Sequence, residues 1–237
     1  GNCLMKYIFA DFKCEIDPKY DYFKSKAGEY EACFDVPDFT FSVNDADIKY
    51  EQSVADGVYK EPLLEFSALL RKLGEKLPLK DAFIMHSATF DVHGTGVALC
   101  AHSGVGKTTH LTRWKSFLGE RMTVVNGDKP IIRFIDGVPF AFGTPWNGKE
   151  NFGQNTKTPI KHICFIERSS TNFAEKIDKN DGVTRILNQV YMPRTNPLAT
   201  ARTLELVDLM LEVCELWIIH CNMDMDAGEI AYKSIFK

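Results

Sequence analysis

The chain has 237 residues, 45% of them hydrophobic, enough to bury a substantial core, and one large domain with a smaller N-terminal annex is expected. Its 28 Lys and Arg against 32 Asp and Glu leave a formal charge of -4, with no basic excess to favour nucleic acid or an anionic membrane surface. No apolar run approaches the roughly 18 residues of a membrane span and no basic-then-apolar leader is present, so a cytoplasmic location is expected; the seven cysteines, odd in number and without a Cys-x-x-Cys pair, read as reduced core residues.

Residues 5–12 and 13–16 read as strands, and 17–30, rich in Tyr, Lys and Glu without a clear period, as loop with a short helix. Phe39-Thr40-Phe41-Ser42-Val43 and Ile48-Lys49-Tyr50 alternate apolar and polar residues on either side of an Asn44-Asp45 break, which predicts two further strands in a small β-rich region. Leu63, Leu64, Phe66, Leu69, Leu70 and Leu73 recur at steps of three and four, predicting a helix over 61–76 packed on a sheet. Glu61 and Glu65 on its neighbouring face read as solvated charge. The expected division is 1–80 for this region and 81–237 for the core with its C-terminal helices.

In the core, a strand at 81–86 changes direction after His86 and leads to a hairpin closed near His93-Gly94. The buried strand Gly96-Val97-Ala98-Leu99-Cys100 follows, then a helix over 109–118 and a strand over 122–125. Asp136-Gly137 is a two-residue hairpin signal between 131–135 and 138–142. A glycine-rich polar loop runs to Pro159, and 160–166 is a buried strand. Helices are predicted at 182–191, 198–213 and 227–236, with a strand at 216–221 before the last. The fold class is therefore α/β with mixed sheets, a β-rich N-terminal region and a helical C-terminal part.

Between the strand at 96–100 and the helix at 109–118 stands Ala101-His102-Ser103-Gly104-Val105-Gly106-Lys107-Thr108, a phosphate-binding loop in its required strand-loop-helix setting, with Ala101 at the usual first glycine. Gly104 and Gly106 let backbone N–H groups turn inward around phosphate oxygens, and the following helix presents its partly positive end to the same anion. Lys107 is placed to reach the β- and γ-phosphates and the Thr108 hydroxyl to ligate a bridging magnesium ion. The nucleotide-binding residues this predicts are Ser103, Gly104, Val105, Gly106, Lys107, Thr108 and Thr109, with ATP and Mg2+ as cofactors.

The order of elements resembles the P-loop kinases of the HPr serine kinase and phosphoenolpyruvate carboxykinase superfamily. The residues that carry the resemblance are Met85-His86-Ser87-Ala88 at the end of a strand, Ser103 to Thr108, and Gly127-Asp128 after the next strand. It covers about 82–142, and an Asn-Gly-Asp-Lys-Pro and Gly-Thr-Pro-Trp pattern is shared with uncharacterised bacterial carboxykinase-like proteins. The resemblance implies a phosphotransferase moving the γ-phosphoryl of ATP to an unidentified hydroxyl. Lys107, Asp128 and His86 would be catalytic and Thr108 and Asp128 would hold the metal; the 143–150 loop follows a strand expected on the same edge, which makes its Lys149 a candidate to neutralise the moving charge. Where the family has two adjacent acids this sequence has one, Asp128, which leaves the base open and makes a nucleotide-binding module without turnover the alternative. Carboxykinase lyase activity is the least favoured reading, because those enzymes have a long N-terminal domain and further basic residues for oxaloacetate, and about 80 residues precede the core here.

Overall fold

The computed structural model describes residues 4–102, 104–222 and 224–237. Strands β1 (Met5–Phe9) and β2 (Phe12–Asp17) form a hairpin about Ala10 and Asp11, both at positive φ, and β3 (Phe39–Ser42) joins β2 in parallel. Helices α1 (Asp21–Ala27), α2 (Asp45–Val54) and α3 (Glu61–Lys76) complete the N-terminal region. The expected strand at Ile48-Lys49-Tyr50 is instead part of α2. Asn44 Oδ1 accepts the Asp47 N–H and Asp47 Oδ2 accepts the Asn44 N–H, each at 3.0 Å, a capping box that outweighs three residues of alternation. Asp47 and Glu51 of α2 then pair with Arg71 and Lys72 of α3.

Glu65 is not a solvated helix charge either. It is fully buried and accepts the N–H groups of Lys19 at 2.6 Å and Tyr20 at 3.1 Å, which ties the approach to α1 onto α3. The N-terminal region is thus more helical than β, with helices of 7, 10 and 16 residues against strands of 5, 6 and 4, and the expected β-rich region is corrected accordingly. It shares its core with the rest of the chain: the rings of Phe9, Phe23 and Phe66 lie 5.6, 6.0 and 5.3 Å from that of Trp146.

The remaining strands are β4 (Ala82–Ile84), β5 (Ala88–Val92), β6 (Thr95–Cys100), β7 (Met122–Asn126), β8 (Ile131–Ile135), β9 (Val138–Phe142), β10 (Lys157–Arg168), β11 (Phe173–Ile177) and β12 (Glu215–Cys221), and they form one nine-stranded sheet. The long β10 joins its two parts. The first residues of β10 run antiparallel to β9, which leads on to β8 and β4, and the later ones run parallel to β6 and β12. β5 pairs antiparallel with both β6 and β7, so β6 and β7 point the same way. β11, which the sequence reading left unassigned, is an edge strand on β12; its Phe-Ala-Glu-Lys-Ile run is exposed at three of five positions and shows no core face.

Helices α4 (Lys107–Leu118) and α7 (Ala227–Ile235) cover one face of this sheet, and α5 (Lys179–Leu187) and α6 (Pro197–Val213) cover the other. Along β6, Val97 and Leu99 enter the first layer and Ala98 and Cys100 the second, which is why this strand is apolar at every step. Five of the six described cysteines are buried, as expected, but Cys33 is exposed and is no core residue. Among the described residues no helix is long and apolar enough to cross a membrane.

Candidate functional site

Sheet register brings three distant segments to one end. Ala88, the first residue of β5, lies beside Leu99 near the end of β6, and Thr89 lies beside Asn126, the last residue of β7. The chain before β5 and the chains after β6 and β7 therefore meet there: His86, the 101–106 loop and Asp128. The link from β4 to β5 is held along the 128–130 segment by Met85 N–H to Pro130 O at 3.2 Å and Ser87 N–H to Asp128 O at 3.0 Å. β10 ends at the same edge, and Arg168 donates from Nη2 to Gly104 O at 2.8 Å.

In the loop, Gly104 and Gly106 have φ of 79° and 114°, a backbone state that a side chain would strain, so glycine is needed at both. Helix α4 starts at Lys107 with Gly106 as its cap, and no described side chain caps it, whereas α2, α5 and α6 are capped by Asn44, Asp178 and Asn196. Its first N–H groups and the positive end of its dipole face the loop. Val105, Lys107 and Thr108 are half-buried and Gly104 and Thr109 exposed; Ser103 lies outside the described residues.

One carboxylate oxygen collects the polar side chains. Asp128 Oδ1 is 3.0 Å from His86 Nε2, 3.4 Å from Lys107 Nζ and 3.0 Å from Lys129 Nζ. Burial would raise the Asp128 pKa, but the bond from His86 and the charges of Lys129 and Lys107 outweigh it and hold the carboxyl well below the usual range. For His86 the bond to Asp128 acts upward, while burial and the two lysines act downward and win, so the imidazole is neutral near pH 7. Lys107, 11% exposed at its side chain, has its pKa lowered, chiefly by burial. His86 presents Nε2 to the Asp128 carboxylate, which can only accept a hydrogen bond.

The structure thus brings together His86, Lys107 and Asp128 of the predicted set. It places Lys149 exposed in the turn after Gly148, without an ion pair among the described residues; the turn passes close to Asp128, a Cβ at Gly148 falling 3.4 Å from Asp128 Cβ. Lys129 takes a place in the cluster that sequence reasoning missed. Neighbours in an extended chain point to opposite sides, so adjacency to Asp128 gave no reason for both to meet. A turn built on Asn126 brings them together: its Oδ1 accepts the N–H groups of Asp128 at 2.9 Å and Lys129 at 2.8 Å. Asn126 is fully buried and donates from Nδ2 to O and Oγ1 of Thr144, at 3.1 and 3.0 Å, and Thr144 Oγ1 donates to Lys129 O at 2.8 Å. An Asn two residues before the acid is the signal that could have revealed this turn.

Of the other histidines, His102 is exposed in the 101–106 loop itself, and the rest lie elsewhere. His110 is buried in α4, accepting from Trp114 Nε1 at 3.0 Å, with burial lowering its pKa to about 4. His162 and His220 face Glu215 and Glu175.

No protein-family profile matches this sequence, and no curated protein matches it. Among solved structures, the HPr(Ser) kinase/phosphatase from Coxiella burnetii is similar at 10% identity and a TM-score of 0.30, over 52% of this chain and 87% of that one. A likeness at that level leaves the functional reading to rest on the residues of the site itself.

Proposed function

We propose that this chain is a P-loop phosphotransferase of the kind the sequence resembles, moving the γ-phosphoryl group of ATP, with Mg2+, to a hydroxyl of a small molecule or protein. The observation that carries the reading is the cluster on Asp128 Oδ1, set beside a glycine loop and a helix start that no described side chain caps. Phosphoryl transfer is mainly positioning and charge neutralisation. Lys107 supplies a fixed cation to the phosphates, and the 104–107 backbone supplies N–H donors.

The donor set fits magnesium in one mode. Among the described residues no group of three His, Cys, Asp or Glu would hold a metal unaided, but Asp128 and the Thr108 hydroxyl suit an ion that also takes phosphate oxygens. A bound ion would supply neutralisation of the phosphate charge. His86 answers the missing second acid: held beside Asp128, its imidazole would accept the proton as the hydroxyl oxygen bonds to the γ-phosphorus and the bond to ADP breaks.

A module that binds nucleotide without turnover is the second reading, favoured by the two lysines that already occupy the single acid. Mg-ATP should raise the melting temperature, and Lys107→Ala should remove most of that rise. A screen of hydroxyl metabolites and peptides should then find acceptor-dependent ADP formation that drops in His86→Ala while ATP still binds. An unchanged melting curve of the original protein in millimolar Mg-ATP would refute the nucleotide site; binding with only background ADP formation would leave the module reading.

A further inference from the structure

Lys129 and Lys107 both hold the same oxygen of Asp128, at 3.0 and 3.4 Å. With His86 counted as neutral, two ammonium groups against one carboxylate leave the cluster formally positive, before the start of α4 and Arg168 add to it. A divalent cation approaching Asp128 alone meets two fixed charges of its own sign on the very oxygen it would ligate. A polyphosphate meets attraction instead, and in drawing the lysines to itself it frees that oxygen. We propose, on the nucleotide reading of the same site, that Lys129 is a second phosphate-binding lysine through which the loop takes up a nucleoside polyphosphate without a divalent cation, the cation entering afterwards and serving transfer only.

The backbone of Lys129 is built for this. Its N–H is shared between Asn126 Oδ1 at 2.8 Å and Trp146 O at 3.0 Å, and its carbonyl accepts from Thr144 Oγ1 at 2.8 Å, so the base of the side chain is fixed by buried polar groups. The ammonium, 28% exposed, rides on a flexible four-carbon stem, which lets it move from Asp128 to a phosphate without moving the turn.

The test is calorimetric titration of the full chain with ATP in excess EDTA and in millimolar magnesium, and with magnesium alone. The dissociation constant for ATP should differ by less than about threefold between EDTA and magnesium, and magnesium alone should give no binding heat. Lys129→Ala and Lys129→Gln, shown to be folded by their circular-dichroism melts, should each weaken metal-free binding about tenfold or more, the size of one lost charge-assisted phosphate contact, and weaken it less with magnesium present. ATP binding that requires magnesium, magnesium binding without ATP, or metal-free binding unchanged in both variants would each overturn the inference while leaving the nucleotide site intact. Absence of ATP binding under every condition would overturn the inference together with the reading beneath it.

Discussion

Replacing Asp128 with Asn keeps the shape of the side chain and removes the charge on which His86, Lys107 and Lys129 converge. Hydrogen bonds to charged groups contribute roughly 1.5–3 kcal/mol each when formed. The two ammonium nitrogens, each within 3.4 Å of the same atom, cannot be more than about 7 Å apart, so at an effective dielectric of about 20 their repulsion is at least roughly 2 kcal/mol, and without the carboxylate nothing offsets it. Asp128 is 32% exposed at its side chain, and water screens part of both effects, so a net loss of about 2 kcal/mol is expected. For a chain of this size that lowers the melting temperature by roughly 4–8 °C. The pH dependence has a definite sign. A carboxyl held below its ordinary value stabilises the fold fully above its unfolded pKa of about 4, and that contribution is lost as the pH falls through the folded value. Calorimetric melts of the two proteins, without nucleotide and at low salt, should therefore differ most near neutrality and converge in acid. A variant melting within about 1 °C of the original at pH 7, or a gap that persists unchanged in acid, would refute the convergence of the lysines on Asp128.

Asn126→Ala should lower the urea midpoint by the equivalent of about 2–4 kcal/mol, because it strips acceptors or donors from Asp128, Lys129 and Thr144 in a buried network; a midpoint shift worth less than about 1 kcal/mol would show that water replaces the amide. Gly228→Ala places a Cβ 2.5 Å from the Arg113 carbonyl carbon, so α7 must move away from α4. A loss of about 1–3 kcal/mol is expected, with weaker ATP binding because α4 carries Lys107, and an unchanged melt would show that the two helices do not pack this closely.

Much of the fold was legible from local pattern. The helix over 61–76 matches α3 residue for residue, since its apolar face repeats at helical steps for about three turns. The turns at His93-Gly94 and Asp136-Gly137 were legible because both pairs take the positive φ that a two-residue hairpin needs. What failed were short or exposed elements, where few residues vote: three alternating residues at 48–50 concealed a capped helix, and the polar edge strand β11 had no core face to give it a period.

For the site, the sequence by itself supplied the loop residues, because a glycine turn, a lysine and a hydroxyl in consecutive positions are local features that any strand-loop-helix context would present together. It also supplied Asp128 and His86 as candidates, through the order of motifs rather than through any contact. Only the tertiary structure decided which cations share Asp128. Lys149, a candidate from its loop, stays exposed, while Lys129 turns inward because a buried Asn126–Thr144 network curls the chain after β7. That outcome depends on hydrogen bonds between residues 18 positions apart and on strands paired by a nine-stranded sheet, and no window along the sequence contains both partners.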